Sequence, residues 1–124
     1  MIGYVTLGTN DLPRATAFYD ALLGELGARR ALDLGRLIGW AVKPGQPMLA
    51  VCTPFDGQPA NAGNGSMVAL LADSPEQVDA LYRKALELGG SDAGEPGFRT
   101  DNYYGCYFRD LDGNKLNFFC IKRG

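Results

Sequence analysis

Sliding the chain against itself by 63 residues lays its beginning over its middle without a gap. The run Tyr4-Val-Thr-Leu-Gly-Thr-Asn-Asp-Leu-Pro-Arg-Ala falls over Met67-Val-Ala-Leu-Leu-Ala-Asp-Ser-Pro-Glu-Gln-Val. Identical pairs include Val5/Val68, Leu7/Leu70, Ala17/Ala80, Tyr19/Tyr82, Leu23/Leu86 and Gly27/Gly90. Both copies have the same order of signals: a strand, a cap, an amphipathic helix and a glycine stop. A chain built this way is constrained to two like modules, because each copy must satisfy the same local preferences.

The second copy gives the clearer helix. Ser74 is a good N-cap, Pro75 suits the first helical position, and Gln77 completes a capping-box pattern. Val78, Leu81, Tyr82, Ala85 and Leu86 recur at helical spacing as one apolar stripe, and Gly89-Gly90 ends it. In the first copy either Asn10 or Asp11 caps the helix. Its stripe is Leu12, Ala15, Phe18, Tyr19, Leu22 and Leu23, and Gly24 or Gly27 stops it.

Strand-like runs follow each helix. They are Leu34–Val42 and Pro47–Thr53 in the first half, and Tyr103–Arg109 and Lys115–Ile121 in the second, with a further short strand near Ser91–Gly94 left open. Asp112-Gly113 supplies the φ > 0 turn between the last two runs. Pro54–Gly65, rich in Gly, Pro and Asn, reads as the connection between halves, and Gly94–Asn102 as a loop that suits a site. The expected domain is thus a single one over 1–124: module one at about 1–54, a linker over 55–65 and module two over 66–124. Paired strands with a tight turn favour an α+β fold of two tandem βαβββ modules with curled, mostly antiparallel sheets. A ferredoxin-like fold is the alternative, but it needs fewer strands.

The charge balance removes several functions. Twelve Lys/Arg against 14 Asp/Glu leave a net charge of −2. The basic pairs Arg29-Arg30 and Lys122-Arg123 make no basic face for nucleic acid. No apolar run approaches the ~20 residues that span a bilayer. The opening residues lead straight into strand-like sequence with no export signal, so a cytoplasmic location is expected. Cys52, Cys106 and Cys120 are odd in number, lack metal spacing and lie in apolar runs, which reads as buried free thiols. The chain has no histidine. Ser/His/Asp and Cys/His catalysis are therefore out of reach, and any proton transfer would fall to a shifted carboxylate, Cys or Lys.

The opening Tyr4-Val-Thr-Leu-Gly-Thr-Asn-Asp-Leu-x-x-Ala-x-x-Phe-Tyr19 and the closing Arg109-Asp-x-Asp-Gly-Asn-x-Leu-Asn117, together with the repeat, resemble the vicinal oxygen chelate superfamily. That group includes glyoxalase I, the bleomycin resistance proteins and the extradiol dioxygenases. The resemblance implies that each half curls a sheet around a concave pocket, and that a divalent metal, when present, is held by matching strands of the two halves. The family's two first-strand histidine positions are Tyr4 and Met67 here, and its last-strand glutamate position is Asn117. The fourth position falls within Met48–Val51, which offers neither acid nor histidine. A phenol, a thioether and an amide make a poor divalent site. No metal and no other cofactor is therefore expected.

Carried over residue by residue, the resemblance implies a pocket lined by Tyr4, Met67 and Asn117. Strand alternation adds Phe119. Trp40 is a candidate stacking platform, Tyr104 a candidate hydroxyl donor alongside Tyr103 and Tyr107, and Arg99 a candidate partner for an anion. Arg109 and Asp110 read as a surface pair or turn supports, and Asp112 and Asn114 as turn-formers. The leading expectation is a protein that binds a small organic molecule in a metal-free cavity, as a homodimer. One alternative is a metal-dependent lyase, isomerase or dioxygenase with non-standard ligands, for which Asp33, Asp56, Glu95 and Asp101 are the nearby carboxylates. The other is a non-catalytic dimeric accessory domain.

Overall fold

The computed structural model describes residues 1–122, so Arg123 of the second basic pair lies outside the described residues. The chain divides into two compact units, Met1–Asn61 and Ala62–Gly124, with the division inside the expected linker. Among the described residues each unit has one helix and one open four-stranded sheet. The first comprises β1 (Tyr4–Gly8), α1 (Leu12–Gly24), β2 (Arg29–Asp33), β3 (Leu37–Ala41) and β4 (Met48–Cys52). The second comprises β5 (Val68–Leu71), α2 (Pro75–Glu87), β6 (Ser91–Phe98), β7 (Tyr103–Arg109) and β8 (Lys115–Ile121).

Strand order is β1-β4-β3-β2 in one unit and β5-β8-β7-β6 in the other. The β1/β4 and β5/β8 pairs are parallel and the remaining pairs antiparallel. Each sheet is therefore mixed, and its first strand reaches the ladder by a crossover through the helix, as parallel pairing requires.

The helices start where the capping residues dictate. Asp11, not Asn10, caps α1: its Oδ1 accepts the Arg14 amide at 3.0 Å. Asn10 instead binds the Ala60 backbone through both amide atoms, at 3.2 and 2.6 Å, and pins the end of the first unit. Ser74 Oγ accepts the Gln77 amide at 3.1 Å, while the Gln77 side chain accepts from the amide of Asp73, one residue before the cap. Ser74→Ala should cost about 1 kcal/mol, read as a lower denaturant midpoint at unchanged slope.

Two strand assignments change. The Leu34–Val42 run holds one strand, β3, shortened to Leu37–Ala41, and β2 over Arg29–Asp33 is the third post-helix strand of the first βαβββ module, which no run in the sequence locates. Asp33 Oδ1 accepts the Gly35 amide at 2.9 Å and Gly35 has φ +81°, so the chain turns there and separates β2 from β3. β6 extends through Phe98, so most of the expected 94–102 loop is strand. Its Gly94, Pro96 and Gly97 hide this in sequence. The register shifts at Asp92/Gly94 and Gly94/Gly97 show how they are accommodated, as bulges on an edge strand.

Each core lies between the helix and one sheet face. In the second unit Val78, Leu81 and Ala85 of α2 are buried with Cys106, Phe108, Leu116 and Phe118 of the sheet. In the first, Phe18, Tyr19, Leu22 and Leu23 are buried with Ile38, Trp40, Leu49 and Val51. The opposite sheet faces have no helix of their own unit, and the candidate site residues divide between these two environments.

Candidate functional site

In the second unit, alternation places Tyr103, Gly105, Tyr107 and Arg109 of β7 on the face away from α2, opposite Ile121, Phe119, Asn117 and Lys115 of β8. Phe119 and Tyr103 are half-buried, with rings stacked 5.1 Å apart and 1° from parallel. Arg99, just past β6, lays its guanidinium over the Tyr107 ring at 5.2 Å, and the Lys115 ammonium lies over the same ring at 5.2 Å. Glycines clear the floor for these groups. A Cβ on Gly105 would stand 3.0 Å from both Asn117 Nδ2 and Tyr103 Cε1, and one on Gly94 would stand 2.8 Å from the Tyr107 ring. The result is a wall of half-exposed aromatics with two cations.

Asn117 lies beneath this wall and does not line open space. It is 0% exposed. Its Oδ1 accepts the Tyr103 hydroxyl at 2.5 Å, and its Nδ2 donates to the carbonyls of Cys106 (2.8 Å) and Phe118 (3.2 Å). The amide thereby orients Tyr103, so Tyr103 and Tyr107 present the polar surface expected of Asn117. Strand alternation carried this signal, since Tyr103, Tyr107 and Asn117 share a face.

Two other expectations are corrected. Trp40 is 2% exposed and belongs to the core: its indole packs on Tyr19 and donates to Asp20 Oδ1 at 2.9 Å. Asp20 also takes a two-pronged bond from Arg30, and chiefly that guanidinium holds its carboxyl below the ordinary value. Tyr104 faces α2, where its hydroxyl donates to Asp79 at 2.6 Å. That bond, with burial, pushes the phenol up to about 12. Tyr104 stays off the wall because it sits one position out of phase with that face, and Trp40 belongs to the first unit, on the side its own helix covers.

Tyr4 and Met67 occupy matching grooves, one in each unit. Tyr4 is 54% exposed and lines a groove of about 710 Å³ with Met48, Ala41, Val42, Arg29 and the Lys43–Gln46 turn. Met67 is 43% exposed and lines a groove of about 590 Å³ with Ala62–Ser66, Arg109 and Lys115. The Asp110–Asn114 segment beside it is a turn scaffold. Asp110 Oδ1 accepts the amides of Asp112 and Asn114, each at 2.9 Å, and Gly113 takes φ +87°.

These residues do not fit a divalent cation. Ladder register matches Asn117, opposite Ala69, to Ala50, opposite Thr6. The four positions are then a phenol, a thioether, a methyl group and an amide whose two side-chain atoms are already bound. No group of three or more Cys, Asp or Glu among the described residues could hold a metal. The protonic groups point the same way. Burial raises the Tyr103 phenol, with Tyr107 adding to the rise, and burial pushes the Cys106 thiol up to about 11. At neutral pH the wall offers hydrogen-bond donors and cations, and neither of these shifted groups serves as a base.

With this geometry in place, comparisons with known proteins define the class. The model of the glyoxalase/bleomycin resistance protein/dioxygenase superfamily matches residues 1–118. The chain belongs to this superfamily. A glyoxalase/bleomycin resistance protein from Albidiferax ferrireducens T118 is 40% identical over 97% of this chain and 98% of its own, with a TM-score of 0.88. A hypothetical protein from S. aureus is 28% identical over 98% and 93%, at 0.76. Lactoylglutathione lyase from Agrobacterium tumefaciens, 24% identical over 97% and 92% with a TM-score of 0.69, shares the fold. No curated protein matches. The superfamily and the α+β fold of two βαβββ modules agree with the sequence reading, and the expected mostly antiparallel sheets each carry one parallel pair. No described helix is long and apolar enough to cross a membrane.

Proposed function

We propose that this protein binds a small organic molecule without a metal, on the wall formed by Tyr103, Tyr107, Phe119, Arg99 and Lys115. One observation carries the reading. The second sheet buries Phe108 and Phe118 completely against α2 and leaves Tyr103, Tyr107 and Phe119 half-buried on the face away from it. Aromatic surface held in place by an ordered amide, with polar atoms at its margin, is what a small-molecule site requires. Tyr4 and Met67, each half-exposed in its groove, extend the candidate surface. A lyase, isomerase or dioxygenase reading would need metal donors that the family positions here do not offer. Family resemblance and the open sheet edges support a homodimer, to be checked by light scattering. A cytoplasmic location is part of the same proposal.

The test is thermal and analytical. Purified protein should contain well under one equivalent of any divalent metal, and chelator should leave its melting temperature unchanged. A panel of aromatic compounds should contain members that raise the melting temperature in proportion to log concentration. That rise should be lost in Tyr107→Ala and Phe119→Ala. Stoichiometric metal, or a panel without a single binder, would sink the proposal.

A further inference from the structure

The two grooves occupy matching places in the repeat, and their chemistry differs. In the first unit Tyr4 stands directly opposite Met48. In the second Met67 precedes the Val68–Leu116 rung as Lys115 does, so Lys115 takes the place of Met48. Across the ladder from Lys115 stands Arg109. At the ladder position where the first groove carries the Met48 thioether, the second carries Lys115 facing Arg109; the first groove's own cations, Arg29, Arg30 and Lys43, lie on other segments of its lining.

Like charges directly opposite each other in an antiparallel pair destabilise a sheet. No carboxylate among the described residues offsets this pair, and each cation has only a neutral partner. Arg109 Nη1 donates to the Gly113 carbonyl at 2.9 Å, and Lys115 lies over the Tyr107 ring. Neither cation makes an ion pair with a carboxylate among the described residues, and no acid lines the groove. Small residues, Gly63, Gly65 and Ser66, form the other wall, which keeps the space between them open. A local rule broken in an open groove marks a place where the missing partner comes from outside.

We propose that this groove seats the oxyanion of a small organic acid, a carboxylate or a phosphate monoester, between Arg109 and Lys115. The acid's ring lies on the Tyr107 side of the wall. This rests on the reading that the wall takes a ligand, and it names that ligand's charge. Lys115 is the hinge between the two parts, since its ammonium caps Tyr107 and its place in the ladder faces Arg109. Arg109 supplies planar paired donors for the oxyanion.

Benzoate, phenyl phosphate and the neutral isostere benzamide are the probes, read by calorimetry and thermal shift. Wild-type protein should bind at least one of the two anions, and benzamide more weakly. Lys115→Gln and Arg109→Gln should each weaken anion binding about tenfold or more, the loss of one charge-assisted hydrogen bond. Benzamide binding should be indifferent to either change. Arg83→Gln, in a separate hollow with Tyr82 and Tyr104, should bind as wild type does. Without ligand, Lys115→Gln should melt no lower than wild type, since it removes a facing like charge; this shows that the variant folds. Equal binding of benzoate and benzamide, unchanged by both substitutions, overturns the anion seat and leaves the wall reading standing. Absence of binding by all three probes overturns the anion seat, and the wall reading falls with it only when the wider aromatic panel also yields no binder.

Discussion

Phe118→Ala is expected to cost about 4 kcal/mol of stability, and Phe119→Ala about 1 kcal/mol, although the two residues are neighbours. Phe118 is fully buried on the helix side of β8, stacked on Phe108 at 5.3 Å. Removing its ring leaves a cavity walled by α2 and β7 that cannot collapse without moving the sheet. Phe119 points to the other face and stacks on half-buried Tyr103. Denaturant unfolding should separate the two cleanly. Ligand binding should reverse their order, with Phe119→Ala losing affinity and Phe118→Ala, at a temperature where it is still folded, retaining it. Comparable stability losses in both variants would mean that the face away from α2 is also a packed core, and the proposed wall would not exist.

Asn117→Asp should be still more informative, because it alters one atom in volume terms and adds a charge. At present Nδ2 donates to two backbone carbonyls. An ionised carboxylate would set an oxygen against those carbonyls in a site with no exposure and no cation among its hydrogen-bond partners. The expected loss at neutral pH is about 3–5 kcal/mol, that of an uncompensated buried charge. The variant should recover stability in acid. Its folded-state pKa is raised above the unfolded value of ~3.9, so the protonated form is favoured in the folded protein. Its deficit is therefore smallest below that unfolded value and grows as pH rises until the folded-state pKa is passed. A melting temperature equal to wild type at pH 7 would show that Asn117 is not sealed beneath Tyr103.

The fold was legible because its signals are local. The Ser74-Pro75-x-Gln77 start, the two apolar stripes and the Asp112-Gly113 turn each act within a few residues, and the 63-residue repeat doubles them. What escaped depended on partners distant in sequence. β2 is polar and mostly exposed, so no alternation marks it. β6 holds three residues that normally break strands, and only its place at a sheet edge makes them tolerable. The site was half legible for the same reason. Alternation correctly groups Asn117 with Phe119, and pairing register then adds Tyr103 and Tyr107. Sequence could not show that Asn117's amide would be consumed by its own sheet, or that Trp40 would find Asp20. Those outcomes depend on which hydrogen-bond partners the tertiary fold brings within 3 Å.

The central position of β4 and β8 has a consequence for how the chain is made. In both sheets the last strand to be synthesised inserts between two earlier ones, with β4 between β1 and β3 and β8 between β5 and β7. While the ribosome is still building β8, β5 has no ladder partner and β7 pairs only with β6. The β7 aromatics then lack their β8 partners, Phe118 for Phe108 and Phe119 for Tyr103. The first unit can close as soon as Cys52 has emerged, but the second must wait for Ile121. A nascent chain stalled within β8 would therefore carry one finished module and one sheet short of its central strand. In that state chaperone capture and aggregation would compete with folding.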